Sequence, residues 1–146
     1  MPVIEAIDWL KQSAAEVLET MCFIEVVGSL EGELDGETEW LTATVNFAGD
    51  KRGRVGICAP YEVARNMTAN FLGEDAEDID RQGVAYGLGE IANMICGGFV
   101  HYLGAESVYD LLPPACEFAL VLPESSATIE RIQLDDGSIC VWANLE

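Results

Sequence analysis

The stretch from Gly87 to Gly98, GLGEIANMICGG, most constrains this chain because it lies in the middle of one long helical pattern. Apolar residues recur there at helical spacing, which predicts a helix from about Asp78 to Leu103. Six of them fall in one narrow stripe of the helical wheel: Val84, Leu88, Ile91, Ile95, Phe99 and Tyr102. The rest of the fold is expected to be organised around this helix.

A carboxylate and a carboxamide stand side by side on the opposite face of the predicted helix. At about 100° per residue, Glu90 and Asn93 lie about 60° apart and point away from the apolar stripe. Tyr86 and Gly97 share that side, and Gly83 flanks it. Because E-x-x-N pairs also arise by chance in chains of this length, an ordinary solvated face competes with a functional site as the interpretation.

The glycines of this helix also require a reason. Gly87, Gly89, Gly97 and Gly98 each cost a helix about 1 kcal/mol relative to alanine. Four such residues indicate either that another backbone packs very close to the helix or that a partner must approach its surface closely.

The string G-E-I-A-N-M-I-x-G-G resembles the signature helix of the CheC/CheX/FliY family of chemotaxis phosphatases, and the CheX branch most closely. The order of predicted elements, which covers nearly the whole chain, is similar as well. CheC-type members carry two E-x-x-N helices, whereas this chain has one, which favours the CheX-like branch. Two features depart from the family pattern: Tyr86 stands where Asp or Ser is common, and Pro113 and Pro114 come slightly before the family's proline.

The resemblance implies a phosphatase that acts on the aspartyl phosphate of a CheY-type response regulator, in chemotaxis or related two-component signalling. Glu90 and Asn93 would be catalytic, and Gly83, Tyr86 and Gly97 would belong to the surface that binds the receiver domain. The protein would need no cofactor of its own, since Mg²⁺ is expected on the partner receiver. A homodimer is also implied. The alternative is a non-catalytic receiver-binding or flagellar-switch-like module.

Composition and charge argue against several other functions. With 146 residues, half of them hydrophobic, and a mean hydropathy of +0.20, residues 1–146 are expected to form a single domain with a core. The formal net charge of −19 at pH 7 argues against nucleic-acid and anionic-membrane partners. No run approaches the roughly 20 apolar residues of a membrane span, and the N-terminus does not resemble a signal peptide. A cytoplasmic protein is therefore expected.

The cysteines and acidic residues do not predict a metal site. The five cysteines are scattered without C-x-x-C spacing, which predicts buried, reduced thiols at Cys22, Cys58, Cys96, Cys116 and Cys140. Zinc is not expected with a single histidine, His101. The acidic stretch around Gly32, Asp35 and Gly36 lacks the ligand spacing of a calcium loop and is interpreted as a hairpin loop.

The remaining patterns predict an α+β fold with helices packed on one antiparallel sheet of about six strands. Helices are expected from Ile4 to Thr20 and from Tyr61 to Leu72, where Gly73 stops the second one. The clearest strand patterns are Trp40–Phe47, Arg54–Ala59, Cys116–Leu122, Ala127–Leu134 and Ser138–Ala143. The first two and the last two should form hairpins, and Cys116–Leu122 is a candidate for the dimer contact.

Overall fold

The structure of the chain, a computed structural model, describes residues 3–30, 38–104, 107–123 and 128–146. Within them, three helices pack on one face of an antiparallel sheet, which confirms the predicted α+β fold. The predicted acidic hairpin loop around Gly32, Asp35 and Gly36 lies outside the described residues, as does Ala127, where a strand was predicted to begin.

The predicted central helix is α3, Arg81–Leu103, which begins three residues later than expected from periodicity. The delay arises from capping: Asp80 has an extended backbone, and its Oδ1 accepts the Gly83 backbone N–H at 2.7 Å. A short 3₁₀ turn, Ala76–Asp78, precedes this cap. The acidic run therefore supplies the N-cap of the helix, and its earlier members remain outside the helix.

The other two helices match their predictions closely. Helix α1 spans Val3–Met21, and helix α2 spans Tyr61–Leu72. Gly73 adopts a left-handed conformation with a φ of 69°, and its N–H bonds to the Ala69 carbonyl. A glycine in this conformation ends the helix without the steric cost that a Cβ would bring.

The described residues contain seven strands, one more than the predicted six: β1 (Val26–Leu30), β2 (Trp40–Ala48), β3 (Arg52–Pro60), β4 (Asp110–Leu111), β5 (Ala115–Glu117), β6 (Thr128–Leu134) and β7 (Gly137–Leu145). Their order is β1-β6-β7-β3-β2, and the short strands β4 and β5 both pair with β2 at one edge. All pairings are antiparallel, and the predicted β2–β3 and β6–β7 hairpins are confirmed.

The main core lies between the sheet and the helices. Alternate residues of β2 and β3 point toward α3, among them Val45, Phe47, Val55 and Ile57, each at most 2% exposed. The predicted apolar stripe of α3 is buried at five of its six positions. The exception is Tyr102, which is half-buried and whose hydroxyl donates to the Glu16 carboxylate at 2.6 Å.

The strand predicted for Cys116–Leu122 is wrong beyond Glu117. Residues 118–123 leave the sheet edge and cross its other face, over a small cluster formed by Trp40, Cys58, Cys140, Trp142 and Leu120. The Val121 carbonyl accepts the Trp142 indole N–H at 3.1 Å, and the Thr42 hydroxyl donates to the Ala119 carbonyl at 2.7 Å. None of residues 118–123 is fully buried, and Phe118 and Leu122 are 42% and 43% exposed. The segment is therefore not a strand beyond Glu117, and its part in a dimer contact stays a prediction.

The structure tests the expected state of the cysteines. All five cysteines are free thiols, and four are buried while Cys116 is half-buried.

By length and composition α3 is apolar enough to cross a membrane, with 23 residues and a mean hydropathy of 1.2 over its most apolar window, so the expectation that no run approaches a span was too strict. Because 56% of that window is buried among the other elements, α3 fits a core helix equally well.

Candidate functional site

Helix α3 exposes only one strip of its surface. Its buried residues extend from Gly87 round to Val100, about 220° of the helical wheel, which is much wider than the predicted stripe. Helices α1 and α2 cover one side, strands β2 and β3 lie underneath, and Pro114 covers the other side at Gly89. The remaining strip is therefore a shallow groove between two helices and the segment around Pro114.

Glu90 and Asn93 lie in this strip, as the helical wheel predicts. Both side chains are half-buried, so the expectation that they face open solvent is only partly correct. Neither side chain has a hydrogen-bond partner elsewhere in the described residues. A carboxylate and an amide are thus held one turn apart on a rigid helix, with their polar atoms available to a ligand or a partner.

An apolar cleft of about 330 Å³ opens at the N-terminal half of the strip. Its lining residues are Ala85, Tyr86, Gly89, Glu90, Pro114 and Cys116. Tyr86 forms its outer wall and is 64% exposed, while Pro114 approaches so closely that a Cβ on Gly89 would lie 3.3 Å from its Cγ. Glu90 therefore stands at the rim of a mostly carbon-lined cleft.

A second cleft, of about 270 Å³, opens at the C-terminal half of the strip. It is lined by Gly97, Val100, His101, Gly104, Ser107, Tyr109 and Leu111. His101 is exposed at its edge. Asn93 lies between the two clefts along the helix axis, one turn before Gly97.

The glycines of α3 serve two different purposes. A Cβ on Gly97 would meet nothing within 4 Å, so this residue leaves the strip open. A Cβ on Gly87 or Gly98 would overlap Thr68 of α2 or Ser13 of α1, so these two permit close helix packing. Of the two explanations given for these glycines, close packing holds for Gly87 and Gly98, because each faces a neighbouring helix. Gly83 lies beside its cap, where a Cβ would come within 3.1 Å of the Asp80 carboxylate.

The site offers polar groups that can position a ligand, and no activated nucleophile. Burial, followed by the nearby Glu117 carboxylate, raises the pKa of the Cys116 thiol to about 11, so this thiol is protonated at neutral pH. No group of three or more His, Cys, Asp or Glu side chains with metal-binding geometry occurs among the described residues. Glu90 and Asn93 can instead orient a water molecule or bind a cation and a proton donor of another molecule.

Sequence reasoning missed the walls of the groove. Pro114 and Cys116 line the cleft beside Glu90, although they follow it in the chain by more than twenty residues. Ser13 contacts α3 from the opposite side, and its hydroxyl donates to the Ile95 carbonyl at 2.7 Å. The available sequence signal for that contact was a serine that stands at helical spacing from Leu10 and Val17, among the apolar residues of α1.

The chain matches one protein family and is similar in fold to several solved structures. Residues 41–127 match the family described as "Chemotaxis phosphatase CheX". The fold is similar to that of the chemotaxis protein CheX from Vibrio vulnificus, with a TM-score of 0.81, 21% identity, and coverage of 100% of this chain and 99% of that one. It is also similar to a chain of the CheX-CheY-BeF3-Mg+2 complex from Borrelia burgdorferi, with a TM-score of 0.76, 27% identity, and coverage of 99% and 98%.

A more distant structural similarity extends to Thermotoga maritima FliY, with a TM-score of 0.62, 14% identity, and coverage of 94% of this chain and 85% of that one. No curated protein sequence matches this chain significantly.

Proposed function

Because the chain belongs to the CheX family of chemotaxis phosphatases, we propose that it hydrolyses the aspartyl phosphate of a CheY-type receiver domain. The observation that carries the proposal is the pair Glu90 and Asn93, held one turn apart in the open strip of α3 without partners in the described residues. A helix surface with glycine at position 97 can enter a shallow active site on another protein.

Asn93 is assigned the positioning of the attacking water. A side-chain amide both accepts and donates hydrogen bonds, so it can hold a water molecule in line with the phosphorus atom. Hydrolysis of a phosphoryl group requires mainly such positioning together with stabilisation of charge on the phosphoryl oxygens. The receiver supplies the charge stabilisation with its own Mg²⁺, acidic residues and lysine. Asn93 therefore completes an active site that is otherwise on the partner.

Glu90 is assigned to docking. Its carboxylate can accept a charge-assisted hydrogen bond from the receiver lysine beside the phosphoryl group. A docked receiver that covers the adjacent apolar cleft would remove water from one side of the carboxylate, which would strengthen such a bond. Gly83, Tyr86 and Gly97 would surround this contact on the surface of this chain that faces the receiver.

The similar CheX protein from Borrelia burgdorferi supports the choice of partner. It forms a complex with CheY that contains BeF3 and Mg²⁺. By extension, we place Mg²⁺ on the receiver partner of this chain and assign no cofactor to the chain itself. The reaction would take place in the cytoplasm, where receiver domains of this kind act.

Phosphate release tests the proposal directly. CheY-type receivers are loaded with acetyl phosphate, and inorganic phosphate is measured with and without this protein. Substoichiometric amounts of the protein should accelerate phosphate release, with turnover saturating as receiver concentration rises. Binding to a receiver without any acceleration would contradict the phosphatase proposal.

The second candidate is a receiver-binding module without catalysis. It is favoured by one observation: the exposed Tyr86 ring stands beside Glu90, where the family commonly has Asp or Ser. A bulky ring there could hold the receiver without aligning water. The same phosphate assay decides between the two candidates, because only the phosphatase accelerates release.

Gly97→Ala is expected to stabilise the protein and weaken its function. Alanine at an open helical position should raise the free energy of unfolding by about 0.5–1 kcal/mol, since nothing within 4 Å opposes the added Cβ. The same Cβ would stand between Asn93 and an approaching receiver, so the KM for the receiver should rise several-fold. Thermal unfolding and phosphate release should be measured on the same preparation. A stabilised variant with unchanged KM would exclude Gly97 from the docking surface.

A homodimer is also expected. Among the described strands, β1 lies at an edge of the sheet and pairs with β6 on one side, and Val27 of β1 is 57% exposed. Unpaired backbone groups and an apolar side chain at a sheet edge favour pairing with a second chain. Sedimentation at micromolar concentration should give about twice 15.8 kDa. A mass of one chain at every concentration tested would contradict this expectation.

A further inference from the structure

The contact between α1 and α3 is unusually close at one point. Ser13 is 1% exposed, and its hydroxyl donates to the Ile95 carbonyl of α3 at 2.7 Å. Directly beside it, Gly98 allows the approach, because a Cβ there would overlap Ser13 Oγ and lie 3.2 Å from Ser13 Cβ. The distance between the two helices is therefore set by a serine hydroxyl seated in the space that a side chain at position 98 would occupy.

A second close contact lies on the same line of α3. Gly87 packs against Thr68 of α2, where a Cβ would overlap the threonine side chain. Gly87 and Gly98 are 11 residues apart, which places them about 20° apart around the helix and about 16 Å apart along it. Two neighbouring helices thus hold α3 along one line, near both ends of the segment that carries Glu90 and Asn93.

This arrangement links Ser13 to the candidate site without any direct contact. Asn93 is about 140° around the helix from Gly98, so any shift or rotation that relieves crowding at position 98 moves Asn93 within the groove. A misplacement of about 1 Å can lower the rate of a positioned reaction by as much as about 10²-fold.

We propose that Ser13 is a positioning residue: seated against Gly98 and bonded to the Ile95 carbonyl, it fixes the lateral position of α3 and thereby the point at which Asn93 presents its amide. The kinetic consequence rests on the proposed phosphatase function. The structural consequence, which is the position of the Asn93 side chain, is independent of that function.

The kinetic test uses Gly98→Ala and the double variant Ser13→Ala/Gly98→Ala. The single variant crowds Ser13 Oγ and should lower kcat for phosphate release by about tenfold or more, with a KM for the receiver within about threefold of wild type. Removing Oγ in the double variant restores space for the new methyl group. The double variant still lacks the hydrogen bond to Ile95, and Ser13 Cβ would lie 3.2 Å from the new methyl group, so its kcat should recover only in part, to a value between the single variant and wild type. A general loss of helix stability would not predict this recovery.

The structural test needs no receiver. The side-chain amide resonance of Asn93 is assigned in isotope-labelled protein by its loss in Asn93→Ala. It should shift in Gly98→Ala and return toward its wild-type position in the double variant. The side-chain amide of Asn66 on α2, which donates to the Asp136 carboxylate at 3.0 Å, serves as the internal reference and should not move.

The outcomes separate the two proposals. If wild-type protein accelerates no receiver, the proposed function fails, and the Asn93 resonance alone decides the positioning role. If Gly98→Ala folds with an unshifted Asn93 resonance, or the double variant shows no recovery at all in either kcat or the Asn93 resonance, the positioning role is overturned. Should Gly98→Ala not fold, Ser13→Cys replaces the hydroxyl oxygen with a larger sulfur atom and crowds α3 at the intact Gly98 less severely. The kcat for phosphate release and the Asn93 resonance are then measured on this variant and interpreted in the same way.

Discussion

Asn93→Ala is expected to lower kcat for phosphate release by about 10²-fold or more, because it removes the group proposed to hold the attacking water. Affinity for a beryllofluoride-loaded receiver should stay within about threefold of wild type, since Glu90 and the two clefts still provide the docking surface. Asn93 is half-buried and has no partner within the described residues, so its removal should change the melting temperature by no more than a degree or two.

Two further variants sharpen this result. Asn93→Gln keeps the amide but moves it by one methylene group, so partial activity is expected. Asn93→Asp keeps the shape but loses the amide donor and adds a negative charge beside the phosphoryl group, so it should be as inactive as Asn93→Ala. An alanine variant with wild-type kcat would remove Asn93 from the reaction.

Glu90→Ala is expected to weaken receiver binding by about 1.5–3 kcal/mol, the contribution of one hydrogen bond between charged groups. This corresponds to an increase in Kd of roughly 10- to 150-fold. Turnover should fall along with binding when the receiver is not saturating, and recover in part at saturating receiver concentration. Calorimetry or fluorescence titration against the beryllofluoride-loaded receiver measures the change in Kd.

A matched control separates the local contact from the overall charge. Glu19→Ala removes the same charge from an exposed position on α1, outside the strip. Since the chain carries a formal net charge of −19, the loss of one distant carboxylate should change Kd by less than about twofold. Equal weakening by both variants would show that Glu90 contributes only to the overall electrostatic field.

Much of the fold could be predicted because its elements follow simple patterns. Helix α2 and the β2–β3 and β6–β7 hairpins combine clear periodicity with turn residues such as Gly73 and Gly137. The segment after Glu117 could not be predicted in the same way. Its apolar residues suggest a strand, yet Thr42, Cys58 and Trp142 bind its backbone across the far face of the sheet. Those three partners lie far away in the chain, so no local pattern reveals them.

The candidate site, like the fold, could be predicted from the sequence only in part. The helical wheel places Glu90 and Asn93 on one face, because that follows from the number of residues per turn. It cannot show that Gly98 touches α1 while Gly97, its immediate neighbour, faces an open groove. That difference depends on which helix packs on which side, and therefore on tertiary structure.

The position of β7 has a consequence for biosynthesis. This strand lies between β6 and β3 in the middle of the sheet, although it follows all the others in the chain. While the chain is being translated, β3 therefore has an unpaired edge, and the core beneath α1 and α2 is incomplete. Helix α1, which packs against both β6 and β7, can therefore settle on the sheet only after residues Gly137–Leu145 have left the ribosome.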